Sequence, residues 1–426
     1  MGITRRSLMV APAGVALAAG TGAPALAGRG RPPRPVIFIH GSAGSAMQFR
    51  VQAKRLASNG YPAKIIEAHE YDSPNIATIV QQVWASLDER ITRLLASSGS
   101  DQVDLAAHSL GTFVTQGYLN SSPARAARVA HYVNLDGRPA TGLPGGVPTL
   151  AIWGEGDPAR TVVGASNVYQ SDQSHTQTVS SAESFREIYR FLRGHEPHST
   201  DVRWAPVAHV SGRAVLFPSN SGVIEASLEI FRVSGRTGRR QGRPIRAAVT
   251  ADGAFGPVPL KPFERYEFAL LRAGQSTHHF YFQPFQRSDS FVRLLTSRPG
   301  EGLGGLVDTS DRHTALTFQR QKEWWGGEGD HLWINGQDIL NPATAPHNRR
   351  VIGVFAFDDD SDGVSDLTAP LPEFIAQTFI SGVDLFIPAA ARGTVSIVAQ
   401  ERGGGLTRLP VPAWPSSEHR VSVEFG

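Results

Sequence analysis

The 426-residue sequence contains no cysteine. Disulfides, thiol nucleophiles and cysteine-based zinc sites are therefore excluded, although the redox compartment is left open. No run of eighteen apolar residues occurs, so no transmembrane segment is expected. An excess of one charge is also missing. The formal net charge is +3, and removing Arg5 and Arg6 with the N-terminal segment described next leaves about +1. With no basic stripe interleaved with aromatics, nucleic acid is not an expected partner. What is abundant is Gly (44) and Pro (29), which favours many turns and a strand-rich region.

Residues 1–27 read as a twin-arginine-type signal peptide. Thr4-Arg5-Arg6-Ser7-Leu8-Met9 is followed by a weakly apolar stretch ending in Ala25-Leu26-Ala27, an A-x-A-like cleavage site. Pro12, Gly14, Gly20 and Pro24 interrupt the stretch and make it a poor anchor. The expected location is secreted.

Residues 28–196 alternate strand and helix. Val36–Ile39 is a short continuous apolar run, as for a strand buried on both faces. An amphipathic stretch from Phe49 to Leu56 and a strand from Ala63 to Ile66 follow. Ile79, Val83, Leu87, Ile91 and Leu94 recur at helical spacing. Val103–Ala107 leads into His108-Ser109-Leu110-Gly111 and another helix. His131–Leu135, Pro148–Trp153 and Val168-Tyr169 are further strands, and a helix spans Ala182 to Leu192. Such alternation predicts an α/β fold with a doubly wound, mostly parallel sheet. From residue 197 to 426 helical periodicity nearly vanishes. Short apolar runs such as Ala214–Phe217, Leu228–Phe231, Phe268–Leu271, His279–Phe282, Val395–Val398 and Val421–Val423 are separated by Gly, Pro and Ser. This predicts an all-β domain, sandwich or barrel, dividing near residue 300 at Arg298-Pro299-Gly300.

Ala107-His108-Ser109-Leu110-Gly111 has the small-x-Ser-x-Gly pattern of a nucleophile elbow, placed between a strand and a helix. Small residues flank the serine because a sharp turn crowds positions two apart. His40-Gly41-Ser42 follows the first strand, where the second oxyanion donor belongs, so the N–H groups of Ser42 and Leu110 are the expected pair. The order Ser, acid, His puts the base after the last strand, at His175. The acid is either Asp136 or Asp157, each at a strand end and each also readable as a turn residue.

These motifs resemble the small bacterial lipases of the α/β-hydrolase fold. Joined to a β-rich second half, they also resemble two-domain archaeal and bacterial lipases with a C-terminal lipid-binding β-barrel. Ala107 stands where many hydrolases have Gly, a departure shared by Bacillus-type lipases. The two-domain resemblance implies Asp136 as the acid, and the Bacillus-type one implies Asp157. The two-domain architecture favours Asp136. The resemblance further implies that the second half helps to cover the acyl site.

The expected activity is that of a carboxylic ester hydrolase, most like a triacylglycerol lipase cleaving long-chain acylglycerols through an acyl-enzyme on Ser109. Its partners would be a lipid or other water-insoluble ester and the lipid–water interface. An esterase or polyester depolymerase with the same triad is the alternative, and a non-catalytic lipid- or polymer-binding protein the alternative of another class. No cofactor is required. Asp358-Asp359-Asp360-Ser361-Asp362-Gly363 resembles the start of a calcium loop, but Ala369 holds the twelfth position where the bidentate Glu belongs. A solvated acidic turn is the first reading, and structural calcium at Asp358, Asp360 and Asp362 the second. Trp324-Trp325 and Phe280–Phe282 read as core residues first and acyl-chain contacts second. Oligomeric state has no signature in the sequence.

Overall fold

The computed structural model describes residues 32–425; the N-terminal segment read as a signal peptide lies outside them. Six strands form one fully parallel sheet: β1 (Val36–Ile39), β2 (Ile66–His69), β3 (Val103–His108), β4 (Val129–Leu135), β5 (Thr149–Trp153) and β6 (Ser166–Tyr169). Their spatial order is β2-β1-β3-β4-β5-β6. The side-chain alternation of a strand sends successive residues to opposite faces. Val36 and Phe38 join one core, with Leu56 of helix α1 (Arg50–Ser58). Ile37 and Ile39 join another, with Val83, Leu87, Ile91 and Leu94 of α2 (Ile76–Ser98) and Val114 and Tyr118 of α3 (Leu110–Ser121). The short α4 (Pro123–Ala126) and α5 (Gln177–Ser180) precede the long α6 (Ala182–Arg193), whose Phe185, Ile188 and Leu192 close the first core. Each of these apolar side chains contributes about 1.5–3 kcal/mol on burial. Helices on both faces make this a doubly wound α/β fold.

The strand expected at Ala63–Ile66 lies further along. Ala63–Ile65 forms a 3-10 turn, and pairing with β1 begins only where Ile66 stands opposite Val36.

After α6 the regular structure, apart from a four-residue helix at Pro372–Ile375 and short 3-10 turns, is β in open sheets, mostly antiparallel, and no path closes into a barrel among the described residues. The largest has eight strands and draws on both sides of residue 300. Thr277–Phe282 pairs with His419–Glu424, which pairs with Leu316–Gln319. The run Val395–Val398 is split. Thr394–Val395 pairs with Val411–Pro412, Ile397–Gln400 pairs with His331–Ile334, and Ser396 N–H between them donates to Asn335 Oδ1 at 2.8 Å. Trp324, Trp325, Phe280 and Phe282 are buried core residues.

The α/β and β-rich regions pack into one compact unit, residues 34–426. Phe291 enters the core under α1 and α6, and Met47 enters a core of the β-rich region. Buried ion pairs cross the boundary: Arg50 Nε with Asp289 Oδ2 at 2.5 Å, and Glu70 with Arg293 at 2.7 Å and Arg213 at 3.0 Å.

Candidate active site

Strand β3 runs into α3 through Ser109, whose φ of 50° and ψ of −121° lie outside the regions open to most L-residues. Such strain costs on the order of 1–3 kcal/mol and persists only where surrounding structure imposes it. Here Gly111 and Gly41 permit the imposing contacts. A Cβ on Gly111 would sit 2.5 Å from the carbonyl oxygens of Ile39 and His40, and one on Gly41 would sit 3.0 Å from Ser109 Cβ. The end of β1 therefore lies directly against the elbow.

The loop after β1 is held from several directions. His40 Nδ1–H donates to Gly41 O at 2.8 Å and its Nε2 accepts from Tyr71 N–H at 3.1 Å. Burial lowers the pKa of this imidazole and keeps it neutral, in keeping with that tautomer. Gly41 N–H donates to Gln48 Oε1 at 3.1 Å, Ala43 N–H to Ser73 Oγ at 2.9 Å and Gly44 N–H to Gly41 O at 3.2 Å. Ser42 N–H takes part in none of these bonds, and Ser42 is exposed. Leu110 is the first residue of α3, so its N–H has no intrahelical acceptor.

Asp136 follows β4 with a φ of 42°, a conformation that Asp tolerates better than most side chains. Its Oδ2 lies 2.6 Å from His175 Nδ1, and its Oδ1 accepts from Gly154 N–H and from Arg160 Nη1, both at 2.8 Å. Burial pushes this carboxyl up, but His175, Gly154 N–H and Arg160 outweigh it and hold the pKa at about 2. Asp157 is exposed. Its Oδ1 accepts from Ala159 N–H at 2.8 Å, closing a local turn away from His175. Of the two carboxylates, Asp136 is the one brought to the histidine.

His175 lies in the loop between β6 and α5 and is 6% exposed. Beneath it His108, buried and held well below the usual imidazole pKa by that burial, lies with ring centroids 4.5 Å apart, its Nε2 3.2 Å from His175 O. A neutral His108 thus donates to the backbone of His175, a role invisible in the elbow motif.

Sequence reasoning gave the β-rich half a covering role but missed the residues by which it holds this site. Asn220 Nδ2–H donates to Gly44 O at 2.8 Å and Tyr71 O at 3.3 Å. The Glu323 carboxylate accepts from residues on either side of His175. His347 Nε2 pairs with Glu155 Oε2 at 2.6 Å. No local signal marks these three, because each acts on a partner more than 140 residues distant.

A mainly apolar cleft, partly open to solvent, adjoins the loop after β1. Ala43 and Gly44 form part of its wall, with Phe217, Leu295, Leu303, Val307, Ile352 and Phe355 from the β-rich region. Ser109 and His175 are not among its lining residues. In the acidic run after Phe357, the Asp358 carboxylate accepts from Gly363 N–H at 3.1 Å and Asp362 Oδ1 from Val364 N–H at 2.8 Å, while Asp360 sits in a left-handed turn. No group of three or more His, Asp or Glu among the described residues is arranged to hold a metal ion.

Residues 33–124 match the family model Lipase (class 2), residues 207–299 match Lipase C-terminal domain, and residues 302–426 match a further C-terminal-domain model. No curated protein sequence matches the chain significantly. Among solved structures, lipase B of Aspergillus fumigatus is 17% identical with a TM-score of 0.32, the likeness covering 42% of this chain and 56% of that one. A Bacillus licheniformis lipase in its propeptide form is 11% identical with a TM-score of 0.31, over 89% of this chain and 93% of that one. Phospholipase PlaB of Legionella pneumophila is 7% identical with a TM-score of 0.25, over 92% and 93%. The two lipase-domain matches, joined in one chain with a parallel α/β sheet ahead of a β-rich region, make this chain similar to the two-domain lipases of α/β-hydrolase fold.

Proposed function

We propose that the chain hydrolyses long-chain carboxylic esters, with acylglycerols as the preferred class, through an acyl-enzyme on Ser109. The observation that carries this reading is the 2.6 Å contact between His175 Nδ1 and Asp136 Oδ2 at the edge of the sheet that also bears the strained Ser109 turn. A hydrogen bond there puts the proton on Nδ1 and leaves Nε2 free as a base. Ser109 Oγ attacks the ester carbonyl carbon and gives its proton to His175 Nε2. Ser42 N–H and Leu110 N–H receive the negative oxygen of the tetrahedral intermediate. The intermediate collapses, the alcohol leaves with the proton from His175, and Ser109 keeps the acyl group. Water then attacks in the same way and releases the acid.

The mainly apolar cleft beside Ala43 and Gly44, next to the loop that carries Ser42, gives an alkyl chain apolar side chains to lie against, among them Phe217, Leu295 and Ile352. Residues 1–27 would direct the protein out of the cell by the twin-arginine route. No helix among the described residues is long and apolar enough to cross a membrane.

A fluorophosphonate probe should label the wild-type protein and not S109A, and S109A should hydrolyse no ester. Emulsified long-chain triacylglycerol should be cleaved faster than soluble short-chain esters or polyester film. Equal labelling of S109A sinks the assignment of the nucleophile. A protein that is folded, unlabelled and inert on every ester would instead be a binding protein on a hydrolase scaffold.

A further inference from the structure

We propose that Glu323, supplied by the β-rich region, is a positioning residue that sets the His175 loop for catalysis. The inference rests on the reading of His175 as the base. Glu323 is fully buried, and a carboxylate removed from water is costly unless its oxygens are satisfied. Oε1 accepts from Thr176 N–H at 2.7 Å, and Oε2 accepts from Thr176 Oγ1 at 2.7 Å and from Ser174 Oγ. All three donors belong to the residues immediately before and after His175. The carboxylate therefore grips the loop on both sides of the imidazole.

The grip is itself anchored. Arg402 Nη1 donates to the Glu323 carbonyl at 2.7 Å, and Arg320 Nη2 donates to the same oxygen. Arg320 also donates to buried Asp330 at 2.6 Å, and Arg402 pairs with the same carboxylate. Arg402 Nη2 continues to Gln177 Oε1 at 3.1 Å, beyond the loop. Trp324 packs beneath Arg320 and Trp325 beneath Arg402, each guanidinium carbon 3.6 Å from the ring centroid. Packing alone would be served as well by an apolar side chain of similar size. A carboxylate whose every bond ends beside His175 fixes direction as well as contact.

Between β6 and α5 the loop has no regular structure of its own, so the placement of Nε2 depends on these ties and on His108 and Asp136. Proton transfer is sensitive to shifts of a fraction of an ångström. Loosening the grip should lower turnover while leaving substrate binding intact.

The test uses the full chain and a short soluble ester, with thermal midpoints as a check on folding. E323A should lose about ten- to a hundredfold in kcat, a loss of the size expected for a misplaced reacting group, with KM changed by no more than about twofold. E323Q should recover most of that loss, because the amide oxygen still accepts from Thr176 N–H and both hydroxyls can turn to meet the amide nitrogen. The S174A/T176V variant should reproduce much of the E323A effect, and combining all three changes should add little to E323A alone. Wild-type kcat in folded E323A, or additive losses in the combined variant, overturns the proposal. If E323A does not fold, S174A/T176V decides: lower kcat at unchanged KM supports the grip and unchanged kcat overturns it. S109A assayed alongside separates the two levels. Residual hydrolysis in S109A would sink the functional reading, whereas an inert S109A beside an unimpaired E323A sinks the grip alone.

Discussion

In the α/β region, buried Asp136 is surrounded by His175, Gly154 N–H and Arg160, and its pKa falls to about 2 in spite of burial. In the β-rich region, burial dominates at Glu424, which one charge, Arg50, opposes, and its pKa rises to about 8. Glu424 Oε1 has no hydrogen-bond partner. Two buried carboxylates in one chain thus go opposite ways, and the number of donors decides the direction. Of the fully bonded buried carboxylates, Asp136, Glu323 and Asp289 lie at the site or at the boundary between the regions, and Glu267, bonded by Arg240 and His279, lies within the β-rich region. The comparison teaches that the second region is more than a cover. It reaches the site through Asn220 and Glu323 and holds α1 through Asp289.

The sharpest break should come at the histidine's partner. D136N should reduce kcat by about four orders of magnitude, as expected when an amide replaces the carboxylate that sets the imidazole tautomer. D157N should stay within about twofold of wild type, like other exposed changes. A larger loss at Asp157 would reverse the assignment. Next in size is the boundary. D289A strands buried Arg50 beside Lys54 and should cost about 3–5 kcal/mol in denaturant unfolding. A loss under about 1 kcal/mol would mean that the pair contributes as little as a surface one.

Glu424 offers a test with the opposite sign. Its folded pKa is raised, so its contribution to stability is fully present below the ordinary value of 4.5 and is lost as pH rises toward about 8. E424Q escapes that loss. Its stability relative to wild type should improve by about 2–4 kcal/mol between pH 4.5 and pH 8, a difference visible in denaturation midpoints at the two pH values. A gap that does not change with pH would count against an isolated, neutral Glu424. The smallest effect belongs to Asn220. N220A frees the Gly44 carbonyl and should lower kcat by about tenfold through a looser loop after β1, equivalent to the loss of one hydrogen bond of about 1.4 kcal/mol. Unchanged turnover would confine Asn220 to packing.

Much of the α/β region was legible in advance. Val36–Ile39 reads as a doubly buried strand because every residue is apolar, and α2 reads as a helix because Val83, Leu87, Ile91 and Leu94 share one face. Ser109 was legible because a strained turn demands small neighbours at fixed offsets, which is a local requirement. The choice between Asp136 and Asp157 was not legible from the residues, since both end strands and both suit turns. The closure of the β-rich region was equally hidden. Its short apolar runs fit sandwich and barrel alike, and pairings such as Thr277–Phe282 with His419–Glu424 span about 140 residues.

The sequence by itself determined the parallel α/β sheet, the serine on its turn and the order of serine, acidic residues and histidine, because periodicity and turn chemistry act over a few residues. Only the tertiary structure decided which carboxylate meets His175, which groups hold its loop and how the second region bears on the first. Those outcomes depend on contacts between residues far apart in the chain, where burial and hydrogen-bond satisfaction are settled by the whole fold.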